Sequence, residues 1–218
     1  MLEGKAKRPE LIFSLLQFED LPEDSSCFFC QEPARFRCVT CIGHPFTCQG
    51  CCLKSHQHNP FHKIQQWSGG FFQSVNLRNL GFRLRMGHQG ATCPEEPGHH
   101  FTEDFKRFEE EDITFVNVSG VFKLQVSWCN CRDRLSQVNQ LLQMGLYPAT
   151  LKSTQSVFSF QLLDYFFIDN MECHTSASSF FSKLRRLTDN VDPKSVQVSV
   201  VPLAHCQLPY LFLSLGSL

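Results

Sequence analysis

The apolar positions of this chain change period near residue 131. Between Ile113 and Trp128 they alternate, with Phe122, Leu124, Val126 and Trp128 on one strand face and a turn at Asn117 to Gly120 before it, which predicts a β-hairpin. Beyond Cys131 the period is helical. Leu135, Val138, Leu141 and Leu142 share one side of a helix that Asp133 can cap and Gly145 ends. Ala177, Phe180, Phe181, Leu184 and Leu187 mark a second helix with Thr175 as its cap. Lys183, Arg185 and Arg186 lie toward its C-terminal end, where the helix dipole favours positive charge. Between the two, FSFQLLDYFFI is apolar on every side, so it belongs to a buried element whose type the pattern leaves open; its rings are assigned to a core rather than to a base-stacking platform. The apolar cluster Leu11 to Leu16 is interrupted by Gln17, Glu19 and Asp20 before a signal-peptide core can form. The C-terminal VQVSVVPLAHCQLPYLFLSLGSL is broken by Pro202, His205 and Pro209, and no stretch reaches the roughly 18 to 20 uninterrupted apolar residues of a bilayer span. The expectation is a soluble, intracellular protein without membrane contact.

With 218 residues, the chain has room for one large domain or for a small module joined to a larger one. Its 42% hydrophobic and 19% charged residues support a packed core and exclude wholesale disorder. No repeat of solenoid period stands out. The net charge of −1 hides an uneven distribution. From Pro33 to Pro94 there is no acidic residue, while Arg35, Arg37, Lys54, Lys63, Arg78, Arg83 and Arg85 are all basic. Glu95, Glu96, Glu103, Asp104, Glu109, Glu110, Glu111 and Asp112 then face only Lys106 and Arg107, which reads as a solvated acidic loop between two parts of the chain. The organisation expected is an N-terminal extension 1–26, a cysteine-cluster region 27–190 and a divergent tail 191–218. Within 27–190 lie a first module 27–66, a basic connector 67–94, the acidic loop 95–112, and the hairpin with its helices 113–190.

Cysteine is the compositional outlier, with 12 residues crowded toward the front of the chain. In a reducing compartment such clusters are more often metal ligands than disulfides. Cys27 and Cys30, Cys38 and Cys41, and Cys48 and Cys51 are pairs with two residues between, followed by His56 and His62. Each such pair can bring two donors to one metal through a tight turn, and eight donors make two tetrahedral zinc sites. Cys52 can stand in for Cys51 and His58 for His56, and sequential sharing of metals is as open as alternate sharing. A segment this poor in apolar residues needs a metal staple, whose binding contributes on the order of 10 kcal/mol per site to folding. His88 and Cys93, across a Gly-rich turn, with Cys129 and Cys131 at the end of the hairpin, form a looser third candidate with three cysteines and one histidine. The fold class expected is α+β: a small zinc-finger module, then a hairpin and helices around a Phe-rich core.

The spacing resembles the B-box type of zinc finger. That resemblance implies a cross-braced arrangement, with Cys27, Cys30, Cys48 and Cys51 on one zinc and Cys38, Cys41, His56 and His62 on the other. More of the chain is similar to a second family. RCVTCIGHPFTCQGCCLKSHQHNPFHKIQQWSGGFF, LGFRLRMGHQGATCP, SWCNC, LYPAT, FSFQLLDYFF and LRRLTDN, in that order, resemble the CxC type 2 cysteine-cluster domain associated with fungal KDZ (Kyakuja-Dileera-Zisupton) transposases. The resemblance covers roughly Cys27 to Asn190. It implies a nuclear, zinc-dependent DNA or protein recognition domain without chemistry of its own, and a truncated or orphan copy lacking the family's long downstream region.

Two function classes follow. One is nucleic-acid recognition, with Lys63, Arg78, Arg83 and Arg85 against phosphates and Trp67, Phe71 and Phe72 near for stacking. Against it, a tetrathiolate zinc carries a charge of about minus two, which nearby cations can serve to offset. The other is a protein-interaction module of B-box type, or a RING-like ubiquitin ligase component, although the two terminal histidines fit a B-box better than a RING. No small-molecule substrate is expected. Catalysis by zinc needs an open coordination position, which fully ligated Cys-rich sites lack, and Asp164, Asp169 and Glu172 read as a solvated helix edge.

Overall fold

A chain whose front half crowds cysteines and whose back half carries the Phe-rich helical pattern builds two different kinds of structure. The computed structural model describes residues 7–22, 25–94, 111–151 and 154–196. It divides into two units, Met1–Gly81 and Phe82–Leu218. Most of the acidic loop expected from the sequence and most of the divergent tail fall outside the described residues.

The first unit contains helix α1 (Arg8–Phe18), strands β1 (Phe36–Cys38) and β2 (Phe46–Thr47), helix α2 (Gln49–Ser55), and strands β3 (Ile64–Trp67) and β4 (Phe72–Val75). The strands form an antiparallel sheet in the order β2-β1-β3-β4, with Phe36 opposite both Thr47 and Gln66. Between β3 and β4 the chain reverses through Gly69 and Gly70, and Gly69 takes a φ of 97°, a conformation side chains disfavour. The apolar interior is small. Among the described residues it consists of Ala34, Phe36, Ile64, Leu77 and Leu80, and the unit's other buried groups are Cys27, Arg37, Cys38, Thr47, Cys52 and His56.

One cation is part of this unit's packing. Arg37 is only 2% exposed, and its guanidinium carbon lies 3.7 Å from the Phe72 ring centroid and 4.6 Å from that of Phe18. It donates to Gln65 Oε1 at 2.8 Å, to the Glu19 carboxylate at 2.9 Å and to the Phe18 carbonyl. A buried guanidinium is tolerated because its donors are spoken for and its faces are covered by rings. The C-terminal end of α1 is thereby tied to the sheet, while Leu11, Ile12, Phe13, Leu15 and Leu16 stay exposed.

The second unit is a five-stranded mixed sheet with helices. Its elements are β5 (Arg83–Arg85), β6 (Glu111–Asn117), β7 (Gly120–Ser127), helix α3 (Gln137–Gln143), β8 (Leu146–Pro148), β9 (Ser156–Ser159), helix α4 (Phe160–Cys173) and helix α5 (Ala177–Thr188). The order is β5-β7-β6-β9-β8, with β5 parallel to β7 and β6 parallel to β9. The hairpin expected from the alternation is β6–β7, and it forms the middle of the sheet. Asn117 pairs with Gly120 across its turn, and the Asn117 side chain accepts from the Ser119 N–H at 3.1 Å and donates to Ser159 Oγ at 3.0 Å. Leu84, Ile113, Leu124, Val126 and Val157 are all buried on one face; Val116 and Phe158 point to the other, where Leu162, Phe166, Phe180, Phe181 and Leu184 of α4 and α5 cover them. This is the expected Phe-rich core, and Lys183 of α5 also pairs with Asp169 of α4 at 2.8 Å.

Both expected helices are present, but their caps differ from the expectation. Ser136, not Asp133, accepts the N–H of Asn139 at 3.3 Å, and Leu135 precedes the helix. Ser176, not Thr175, accepts the N–H of Ser179 at 3.2 Å. In each case a capping residue closer to the first helical turn reaches the unpaired N–H groups, and the earlier candidate lies too far upstream. The undecided segment FSFQLLDYFFI is two elements in one. The buried strand β9 ends at Ser159, whose hydroxyl accepts the Leu162 N–H at 3.2 Å and starts α4.

Phe181 is fully buried and meets the Phe158 ring edge-on at 6.3 Å. Phe181→Ala should destabilise the second unit by about 3–5 kcal/mol, read by urea unfolding of metal-loaded protein. A change below about 1 kcal/mol would mean the helices do not close on this sheet.

Candidate metal centres

Three groups of four Cys and His side chains come together, each with all ligand-type atoms within 4.8 Å of one another. They are Cys27, Cys30, Cys48 and Cys51; Cys38, Cys41, His56 and His62; and His88, Cys93, Cys129 and Cys131. Local backbone structure explains each gathering. Cys27 and Cys30 lie on a turn closed by the Cys27 N–H to the Glu32 carbonyl at 2.7 Å. Cys48 is the N-cap of α2 and accepts the Cys51 N–H on its sulfur at 3.4 Å, so the first helical turn delivers both thiols to one side. Cys38 closes β1 and likewise accepts the Cys41 N–H at 3.3 Å. His56 caps the C-terminal end of α2, and His62 precedes β3.

The first two groups take alternate pairs along the chain, so their loops are interleaved. Of the residues the spacing left interchangeable, Cys51 and His56 are those gathered. Cys52 is buried, and its carbonyl accepts from His56 Nδ1 at 2.8 Å. That hydrogen bond fixes the tautomer and aims Nε2 at Cys41 Sγ, 3.7 Å away. His58 belongs to none of the three groups among the described residues.

The third group joins a turn after β5 to the chain leaving β7. Gly87, His88, Gln89 and Gly90 all have positive φ, at 76°, 46°, 55° and 85°. This left-handed run swings His88 Nε2 to 3.2 Å from Cys129 Sγ and 3.3 Å from Cys131 Sγ. A Cβ on Gly87 would lie 2.9 Å from Cys129 Cβ, so only glycine lets the turn pass behind that ligand. The motif MGHQG carries this requirement visibly, as two glycines around a candidate histidine.

The spacing within the groups fits a shared cation. Cys30 and Cys48 sulfurs are 3.5 Å apart and those of Cys93 and Cys131 are 3.6 Å apart, far beyond a disulfide bond of about 2.05 Å. They are near the edge of about 3.8 Å that a tetrahedron with metal–sulfur bonds of about 2.3 Å requires. Cys38 Sγ and Cys41 Sγ lie 3.6 Å and 3.3 Å from His62 Nδ1. Charge argues the same way. Burial opposes ionisation of Cys27, but N–H groups of Cys48, Phe29 and Cys30 outweigh it and bring the thiol down to about 6. Its neighbours cannot all follow: Cys30, then burial and Cys48, push Cys51 up to about 12, and Cys93, then burial and Cys129, do the same to Cys131. Burial disfavours charge on His56, yet Cys38 and Cys52 push it up to about 11. Sulfur crowding thus calls for positive charge at each centre, which a divalent cation supplies while releasing protons.

The residues expected to meet nucleic acid fall in both units. Lys63 and Arg78 are half-buried in the first unit. In the second unit, Arg83 is exposed and Arg85 half-buried, on the same side of β5 and opposite the buried Leu84. Phe72 is stacked on Phe46 and covers Arg37, and Trp67 meets Phe72 edge-on, so two of the three candidate stacking rings are engaged in the unit's own packing; Phe71 is exposed. Of the carboxylates considered, Asp169 is paired, and Lys183 beside it holds its carboxyl below the usual range.

Gly87→Ala should lower metal content from three ions to two per chain, measured by elemental analysis of protein purified with zinc. Three tightly held ions in the variant would show that the close approach of Gly87 to Cys129 is not needed.

No curated protein sequence and no solved structure matches this chain. A family model, described as a CxC2-like cysteine cluster associated with KDZ transposases, matches residues 77–192. The matched span includes the whole third group and the described strands and helices of the second unit, while the first two groups precede it. The chain belongs to the family of CxC2-like cysteine clusters associated with KDZ transposases.

Proposed function

We propose that this chain is a non-catalytic zinc-binding recognition domain of a KDZ transposase-related protein. The observation that carries the reading is the set of three four-donor groups: one of four cysteines, one of two cysteines with two histidines, and one of three cysteines with a single histidine. These are the donor sets of structural zinc, and four protein ligands leave no position for a reacting water. Soft thiolates with imidazole favour zinc over calcium or magnesium, which take oxygen. The bound ions would hold loops in place rather than act on a substrate. No helix among the described residues is long and apolar enough to cross a membrane. Nuclear placement follows from the family association alone.

Recognition of a protein is the reading we favour. Large apolar side chains stand exposed on α1 (Leu11, Phe13, Leu15), on the first zinc knuckle (Phe28, Phe29) and on α4 (Tyr165, Ile168, Met171). Aromatic and aliphatic groups of this kind anchor protein interfaces. DNA is the second reading. It is supported by Arg83 and Arg85, exposed and half-buried on one side of β5, and by the absence of acidic residues from Pro33 to Pro94.

Two measurements test this. Elemental analysis should find three zinc ions per chain, and a strong chelator should remove the far-ultraviolet dichroism and near-native unfolding transition of the first unit; unchanged dichroism after complete metal removal would contradict a structural role. If DNA is the ligand, its affinity falls steeply with salt, and Arg83→Ala with Arg85→Ala reduces the slope of log affinity against log salt by about 2. Absent or salt-insensitive DNA binding removes that reading and leaves the protein one.

A further inference from the structure

The third centre is supported by a polar side chain that is neither a ligand nor exposed. Gln140 of α3 is 3% exposed, in a region where the neighbouring Leu141 is fully buried. A buried carboxamide is costly unless its donors and acceptor are matched. Here they are matched by the backbone of a ligand. Gln140 Oε1 accepts the Cys129 N–H at 3.0 Å, and Gln140 Nε2 donates to the Cys129 carbonyl at 3.3 Å and to the Leu135 carbonyl at 2.9 Å. Only one orientation of the amide satisfies all three bonds, because the flipped group would set an NH2 against an N–H and an oxygen against two carbonyls.

We infer that Gln140 is a positioning residue of the third metal centre: its carboxamide grips both backbone polar groups of Cys129 and so aims the Cys129 thiolate at the point it shares with His88, Cys93 and Cys131. This rests on the third centre holding an ion. Cys129 leaves the end of β7 at Ser127, beyond the sheet's own hydrogen bonds. Gln140 replaces the missing strand partner with a two-point clamp from a helix that Ser136 caps. Gly87 lies against the Cβ of the same cysteine. Cys129 is therefore held on its backbone by Gln140 and approached at its Cβ by Gly87.

The test uses the full chain loaded with cobalt(II), whose visible bands report the ligand geometry, and with zinc in competition with a chromophoric chelator. Gln140→Met keeps the volume and removes all three hydrogen bonds. It is expected to weaken the third ion by about 10–100-fold, leave the other two unchanged, and shift the visible bands of the three-sulfur, one-nitrogen centre. Gln140→Glu keeps the acceptor but loses both donors, and should weaken the same ion. Leu141→Ala, a packing change in the same helix, should lower unfolding stability while leaving the bands in place. Three ions of wild-type affinity and an unaltered spectrum in Gln140→Met would overturn the assignment. Should that variant fail to fold, the wild type decides. The Gln140 side-chain amide protons should be protected from solvent exchange with three ions bound and lose protection when the ion of the three-sulfur, one-nitrogen centre is removed; indifference to that ion refutes the clamp. A wild type that binds only two ions would instead remove the third centre itself.

Discussion

On the proposed function, the attraction between crowded thiolates and a divalent cation is the interaction on which the rest of this molecule depends. In the first unit the apolar interior amounts to a handful of side chains, and two ligand groups with interleaved loops sit at its edge. Interleaving matters physically. A metal joining neighbouring pairs would close one short loop, whereas alternate pairs make each ion constrain the chain that ligates the other. The sheet of short strands would then have its ends fixed by ions where a larger protein would fix them by packing. Arg37 adds to this a buried guanidinium covered by the Phe18 and Phe72 rings.

The second unit shows the opposite balance. Its sheet is buried on both faces and covered on one by aromatic helices, so an ion at the third group would have a different task. It would join the turn after the edge strand β5 to the end of β7, two segments that run in parallel and that no hairpin connects. Holding them requires a left-handed run from Gly87 to Gly90, including two residues that are not glycine. Such backbone is kept only where surroundings determine it fully. The close approach of Gly87 to Cys129 and the contacts of His88 with Cys129 and Cys131 supply that determination, and the family match covers this unit's described elements.

What could be read from the sequence was what repeats or alternates. Cys pairs with two residues between announced the first two groups, and the alternation through Phe122, Leu124 and Val126 announced the hairpin. Pairing by alternate partners was not readable from spacing, since a ligand pair is the same in either arrangement; it followed only from the B-box resemblance. FSFQLLDYFFI resisted because a strand and a helix meet inside it without a polar break, and the hydroxyl that separates them, Ser159, looks like any buried serine. Asp133 and Thr175 misled because Ser136 and Ser176, also capping residues, lie three and one positions further on. Arg37 and Gln140 left no trace in the sequence at all: a polar side chain announces burial only once its partners are in place.

The donor composition of each centre is the most direct point at which this account can fail. Cadmium-113 magnetic resonance of the folded, cadmium-substituted chain separates sites by their number of sulfur ligands. Three resonances are predicted, one each for four sulfurs, three sulfurs with one nitrogen, and two sulfurs with two nitrogens. A spectrum with fewer bound environments, or one showing oxygen in place of sulfur, would contradict it.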